Sequence, residues 1–152
     1  MDVGVDQPRK QCPAGDVAAP GVPSFVFVDD ARDADIHVVW SEQASGDWFV
    51  AFCAPHVDLM NRKFIPPTQL LVTGRWGDGG LADLHDVYAM VLHEMGHALG
   101  LLGHSPDVAD ILYPRPPGTS GAEISARDRE TLRRLYEKPV GTHVSGARSF
   151  GR

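Results

Sequence analysis

Cysteine is scarce: only Cys12 and Cys53 occur in 152 residues, too few for a disulfide scaffold and without the CxxC spacing of a structural zinc ribbon. The two either pair or both stay free. No stretch approaches the roughly 18 consecutive apolar residues of a membrane span. The polar start from Met1 to Lys10 does not read as an export signal. Basic residues are outnumbered, 14 against 20 acidic ones for a net charge of -6, so the positive footprint that nucleic acid demands is missing. These absences exclude a nucleic-acid partner and a membrane-spanning chain. What remains, 43% hydrophobic and 22% charged residues, is ordinary for one domain with a single core.

Residues 1–23 carry Pro8, Pro13, Pro20 and Pro23 with no apolar period and read as an irregular arm. Strand-like runs follow at Ser24 to Val28, Ala34 to Trp40, Trp48 to Ala54 and Thr68 to Arg75. In the second, Ile36, Val38 and Trp40 alternate with Asp35, His37 and Val39, as in a half-buried strand. Pro66-Pro67 breaks regular structure before the last run, and Gly77-Asp78-Gly79-Gly80 forms a turn after it. From Asp83 the period becomes helical: Leu84, Val87, Val91, Met95 and Ala98 share a face, Asp83 is the N-cap and Gly100 the stop. Ser125-Ala126-Arg127-Asp128 resembles a capping box that opens a second helix with Leu132, Leu135 and Tyr136 on its apolar face. The expected fold is α+β, a small mixed β-sheet over one helix with a second, C-terminal helix. It occupies residues 24–138, and 139–152 form a flexible tail.

The chemistry concentrates in His93-Glu94-Met95-Gly96-His97-Ala98-Leu99-Gly100-Leu101-Leu102-Gly103-His104. Histidines four apart on a helix sit one above the other, so both imidazoles can reach one zinc, with Glu94 beside the metal's open position. Zinc lowers the pKa of a bound water from 15.7 towards about 7 and polarises a scissile carbonyl, while the carboxylate takes the water's proton. Catalytic zinc takes three protein ligands, so the chain must turn back. Gly100 can adopt positive φ and let His104 reach the same ion, with Gly103 adding freedom. Chance would place His-Glu-x-x-His in a chain of this composition about one time in a hundred, and roughly one in ten thousand once the glycine and third histidine are required. His37, His56, His85 and His143 have no partner at metal-binding spacing. Asp107 and Asp110 follow His104 closely enough to act as a ligand or as an acceptor behind one.

These residues resemble the metzincins, and within them the matrixins, whose signature is His-Glu-x-x-His-x-x-Gly-x-x-His followed by a turn bearing a methionine beneath the zinc. The last interval is one residue longer here, so Gly103 stands at the usual ligand place. Measured from His104, Ser105 and Asp110-Ile111-Leu112-Tyr113-Pro114 fall where matrixins carry His-Ser and then Leu-Met-Tyr-Pro, which assigns the third ligand to His104. Leu112 replaces the methionine, a volume-conserving exchange that usually costs under about 1.5 kcal/mol. Ala34-Asp35-Ile36-His37-Val38 is similar to the Ala-Asp-Ile strand of the family. Ile124-Ser125 to Leu135-Tyr136 is similar to its C-terminal helix. The likeness spans residues 24–137 and is strong from His93 to Pro114.

The resemblance implies a zinc endopeptidase cutting internal bonds of a protein or peptide substrate, with Glu94 as general base and a monomeric chain. It is expected to be a reduced or truncated, bacterial-type catalytic domain, because the strand and long helix that usually precede the Ala-Asp-Ile strand are not found. An extended substrate would pair with the sheet's edge, placed at Thr68 to Gly74 with Leu71 and Val72 as binding residues. Tyr113, Pro114, Arg115 and Pro116 would line the pocket beyond the scissile bond. The segment Pro8-Arg9-Lys10-Gln11-Cys12-Pro13 faintly resembles the Pro-Arg-Cys stretch with which matrixin propeptides block their zinc. The family implies an extracellular location, with the cytoplasm as the alternative. Two other readings remain: a non-catalytic zinc-binding or interaction domain, and a zinc protease of the other large group, which would need Glu123 or Glu130 at the metal.

Overall fold

The computed structural model describes residues 25–41, 50–58, 60, 63–114 and 123–138. The proposed arm and tail, Cys12, Trp48, Arg115 and Pro116 lie outside the described residues. The architecture is α+β: strands β1 (Ile36–Trp40), β2 (Ala51–Ala54), β3 (Val57–Asp58), β4 (Lys63–Phe64) and β5 (Thr68–Val72), then helices α1 (Leu84–Ala98) and α2 (Ala126–Tyr136). A mixed three-stranded sheet runs β1-β5-β2, with β1 parallel and β2 antiparallel to β5, and β3 and β4 form a separate antiparallel pair.

The middle strand is β5, bonded on both sides, which corrects the expectation that Thr68 to Gly74 forms the sheet's edge. Leu70 and Val72 are buried and Leu71 half-buried, so this strand offers no free backbone to a substrate. A run of consecutive apolar residues is what a strand covered on both faces carries, and Leu70-Leu71-Val72 is such a run. The antiparallel edge among the described residues is β2. Residues 25–28, expected as a strand, have no regular structure, and Phe27 is 96% exposed. Nor is β1 half-buried: Ile36 packs on the core, but Val38, Val39 and Trp40 are exposed. Alternation in the sequence reported a strand there without reporting what covers it.

Helix α1 begins where Asp83 accepts a hydrogen bond from the Asp86 N–H at 2.8 Å, which satisfies one of the helix's unpaired amino-terminal donors. Val87, Met90, Val91 and Met95 pack against Ala51, Leu70 and Val72, while Leu84 is exposed. Leu70 and Val50 are fully buried, each worth ~1.5–3 kcal/mol of transfer from water. On the other side of α1, Leu92 joins Leu101, Ile111, Leu112, Leu132 and Leu135 in a second cluster that fastens α2 to the loop after α1. Helix α2 carries the full capping box: Ser125 accepts from the Asp128 N–H, and the Asp128 carboxylate accepts from the Ser125 N–H.

The end of α1 decides where the loop goes. Leu99 is the last residue near helical geometry, and Gly100 has φ +100°. The Gly100 N–H donates to the His97 carbonyl and the Leu101 N–H to the Gly96 carbonyl, both at 3.0 Å, the paired bonds of a Schellman ending. A Cβ at Gly100 would also lie 3.3 Å from Leu135 and 3.4 Å from Phe64, contacts that small side-chain shifts relieve, so it is the positive φ that selects glycine there. The chain consequently reverses over the carboxy-terminal turn of α1 instead of leaving it.

Candidate metal centre

His93 and His97 lie one turn apart on α1, and the reversed loop carries His104 to the same place. The ring centroid of His104 is 5.3 Å from that of His93 and 5.1 Å from that of His97. One nitrogen from each of the three falls within 4.8 Å of the others, the one such cluster of metal-binding side chains among the described residues. Burial grades across it: His93 is buried, His97 half-buried and His104 exposed, so the cluster opens to solvent on one side.

Two backbone carbonyls set the ring orientations. His93 Nδ1 lies 2.7 Å from the Ile111 oxygen and His97 Nδ1 lies 2.6 Å from the Leu101 oxygen. A carbonyl only accepts, so in each ring the proton sits on Nδ1 and the Nε2 lone pair is free. Those two Nε2 atoms are 3.2 Å apart. With no proton between them, two lone pairs at that distance repel unless a cation lies between, and nitrogens bound at about 2.0–2.1 Å on a tetrahedral zinc stand about 3.3 Å apart. The donor set fits such an ion. The Schellman ending is what delivers the Leu101 carbonyl to His97.

Electrostatics keep the rings neutral, the state a metal ligand needs. Burial pushes His93 down to about 4, aided by repulsion from His97 and His104 and opposed by its bond to Ile111. His97 is likewise lowered, by burial and then by repulsion from His104, against its bond to Leu101. Glu94 is 6% exposed and its Oε2 accepts the Cys53 N–H at 2.8 Å. Burial raises its carboxyl to about 7, although the Cys53 bond pulls the other way. Cys53 is a buried free thiol pushed up to about 11 by burial and by the charge of Glu94, so it is protonated at neutral pH.

Leu112 is 6% exposed and meets Gly96 of α1, where an added Cβ would lie 2.9 Å from its Cδ2. Tyr113 is half-buried and Pro114 exposed just beyond. Leu71 and Val72 sit inside the sheet, as above. Glu130 lies on α2, bonded to Arg133 and Arg134. His37 rests its Nε2 2.6 Å from the Ala31 oxygen.

Sequence reasoning missed the roles of Ile111, Gly96 and Asp128. Ile111 contributes through its peptide, which no side-chain pattern records. The Ile111 N–H donates to the buried Asp128 carboxylate at 2.9 Å while its carbonyl holds His93, so Asp128 acts on the site through the backbone of one residue. Gly96 did carry a signal: glycine inside a helix costs roughly 1 kcal/mol relative to alanine, which points to a packing reason.

The matrixin family model, a peptidase family, matches residues 22–137, so the chain belongs to the matrixins. Metalloendoproteinase 1 of Glycine max is 42% identical over 52 residues, covering 34% of this chain and 17% of that protein. Interstitial collagenase of Sus scrofa is 34% identical over 59 residues, covering 37% of this chain and 12% of that protein. The matched stretch thus spans less than a fifth of either relative. No solved structure matches the chain.

Proposed function

We propose that the chain is a zinc-dependent endopeptidase that hydrolyses internal peptide bonds, with His93, His97 and His104 as zinc ligands and Glu94 as general base. The carrying observation is the convergence of three imidazoles, two of them turned by backbone carbonyls so that bare Nε2 atoms face each other at 3.2 Å. Zinc bound there supplies Lewis acidity, polarising a substrate carbonyl and lowering the pKa of water towards about 7.

The protein's own groups do the rest. Glu94 is one residue from His93, and its buried carboxyl, which desolvation raises above the ordinary glutamate range in the metal-free chain, is a short-range proton acceptor beside the metal position. It accepts the proton of the attacking water at a carboxylate oxygen and passes it to the leaving amine. The Cys53 N–H fixes Oε2. Because that N–H belongs to β2, the base is registered against the antiparallel edge of the sheet, where an extended peptide can add as a further strand. This edge replaces β5 in the role assigned to Leu71 and Val72, and Tyr113 and Pro114, which follow Ile111 and Leu112 in the chain, are assigned to the pocket beyond the scissile bond.

The test is a Glu94→Ala chain incubated with an unfolded protein substrate. Zinc retention with loss of cleavage is expected. Cleavage at the parent's rate would refute the assignment of the base, and a parent chain that holds zinc but cuts nothing would favour a binding domain instead.

A further inference from the structure

His104 differs from the other two histidines of the triad. His93 and His97 sit on a helix with their rings held by carbonyls, whereas His104 lies on the exposed loop and no hydrogen bond from a described residue fixes its ring. Its placement must come from the backbone next to it. Ser105, the following residue, is tied three times: its N–H donates to the Leu112 carbonyl at 2.8 Å, its hydroxyl donates to Asp110 Oδ2 at 2.5 Å, and its Oγ accepts the Asp107 N–H at 3.1 Å.

Asp110 is 3% exposed and lies in the same loop. Burial alone would push its carboxyl up, but hydrogen bonds from Ser105, Ser125 and Arg127, with the charge of Arg127, hold it below its ordinary value. Oδ1 accepts the Ser125 hydroxyl at 2.7 Å, and Oδ2 accepts Arg127 Nε at 2.7 Å and Nη2 at 2.6 Å. Ser125 and Arg127 open α2, so one buried carboxylate ties the peptide after His104 to the start of the C-terminal helix. A buried charge with this many donors is rigid, since any displacement would strand it without partners.

We propose that Asp110, with Ser105 and Arg127, is a positioning clamp for the metal-ligand arm that carries His104. It sets how tightly the ion is held, without touching the ion. The inference rests on the metal-centre reading above. It explains how an interval one residue longer than the family pattern still presents a third imidazole: the slack in Gly103-His104 is taken up by fixing the residue after it.

Zinc dissociation constants, read by competition with a chromophoric chelator, are compared for the parent chain, Ser105→Ala, Ser105→Thr and Asp110→Asn. The thermal midpoint of each metal-free chain and the visible spectrum of each cobalt derivative are recorded alongside. Loss of a group that orients a ligand typically costs ~10–100-fold in metal affinity, and that loss with altered cobalt bands is expected for Ser105→Ala and Asp110→Asn. Ser105→Thr keeps the hydroxyl and recovers most of the affinity. If both variants bind zinc as tightly as the parent and only the metal-free midpoint falls, the clamp merely supports the fold and the proposal is overturned. A parent chain that takes up no zinc would overturn the metal-centre reading, and this proposal with it.

Discussion

Replacing Glu94 by Gln is expected to make the metal-free protein more stable at alkaline pH. Burial holds the Glu94 carboxyl at about 7, against 4.5 for a free glutamate side chain, because the charged form is poorly hydrated inside the site. A folded-state pKa above the unfolded one means that the native chain binds more protons between those two values. The corresponding stability is fully present below about pH 4.5 and is lost as the pH climbs to and through about 7. At 1.36 kcal/mol per pH unit the loss amounts to ~3 kcal/mol. Glutamine has nothing to ionise, so the variant escapes it. The assay is urea unfolding of chelator-treated parent and Glu94→Gln chains at pH 4 and pH 8.5. The stability difference between the two chains should shift in the variant's favour by ~3 kcal/mol from the lower to the higher pH. Comparing across pH cancels any fixed cost of burying the amide. A difference that stays constant would show that Glu94 is not held in a desolvated site, contrary to its burial against β2.

Two further substitutions probe the supports of the centre. Gly96→Ala brings a methyl to 2.9 Å from Leu112 Cδ2, in a cluster against which Leu92, Leu132 and Leu135 pack; overpacking of ~1–3 kcal/mol, less ~1 kcal/mol of regained helix preference, leaves a net loss of up to ~2 kcal/mol and should lower the thermal midpoint. A raised midpoint would mean that Leu112 does not confine the helix at Gly96. Asp128→Ala leaves the Ile111 and Ser125 N–H groups without their buried acceptor, so a loss of ~2–4 kcal/mol in chemical unfolding is expected, and under 1 kcal/mol would contradict the role given to Asp128.

Much of the fold was legible because its signals are local. Asp83 and the Ser125 to Asp128 box announced the helix starts, and Gly100 announced the one stop that matters, since only glycine takes φ near +100° cheaply. The histidine spacing is local as well: four residues on a helix define one face. Strand order is not local. β2 and β5 are both short and apolar, and which of them ends in the middle depends on pairings between residues far apart in the chain. Exposure of β1 was equally hidden, because alternation in Ile36 to Trp40 says how side chains point and nothing about what lies over them. The clamp around Asp110 was visible only in part. Its nearness to His104 marked it as a ligand or an acceptor behind one, but its donors on α2 reach it only through tertiary packing.

The most direct measurement is zinc-edge X-ray absorption on the loaded chain and on its His104→Ala variant. One zinc per chain is expected, with three imidazole nitrogens at about 2.0–2.1 Å in the parent and two in the variant. A sulfur neighbour near 2.3 Å, or a nitrogen count unchanged by the loss of His104, would contradict that ligand set.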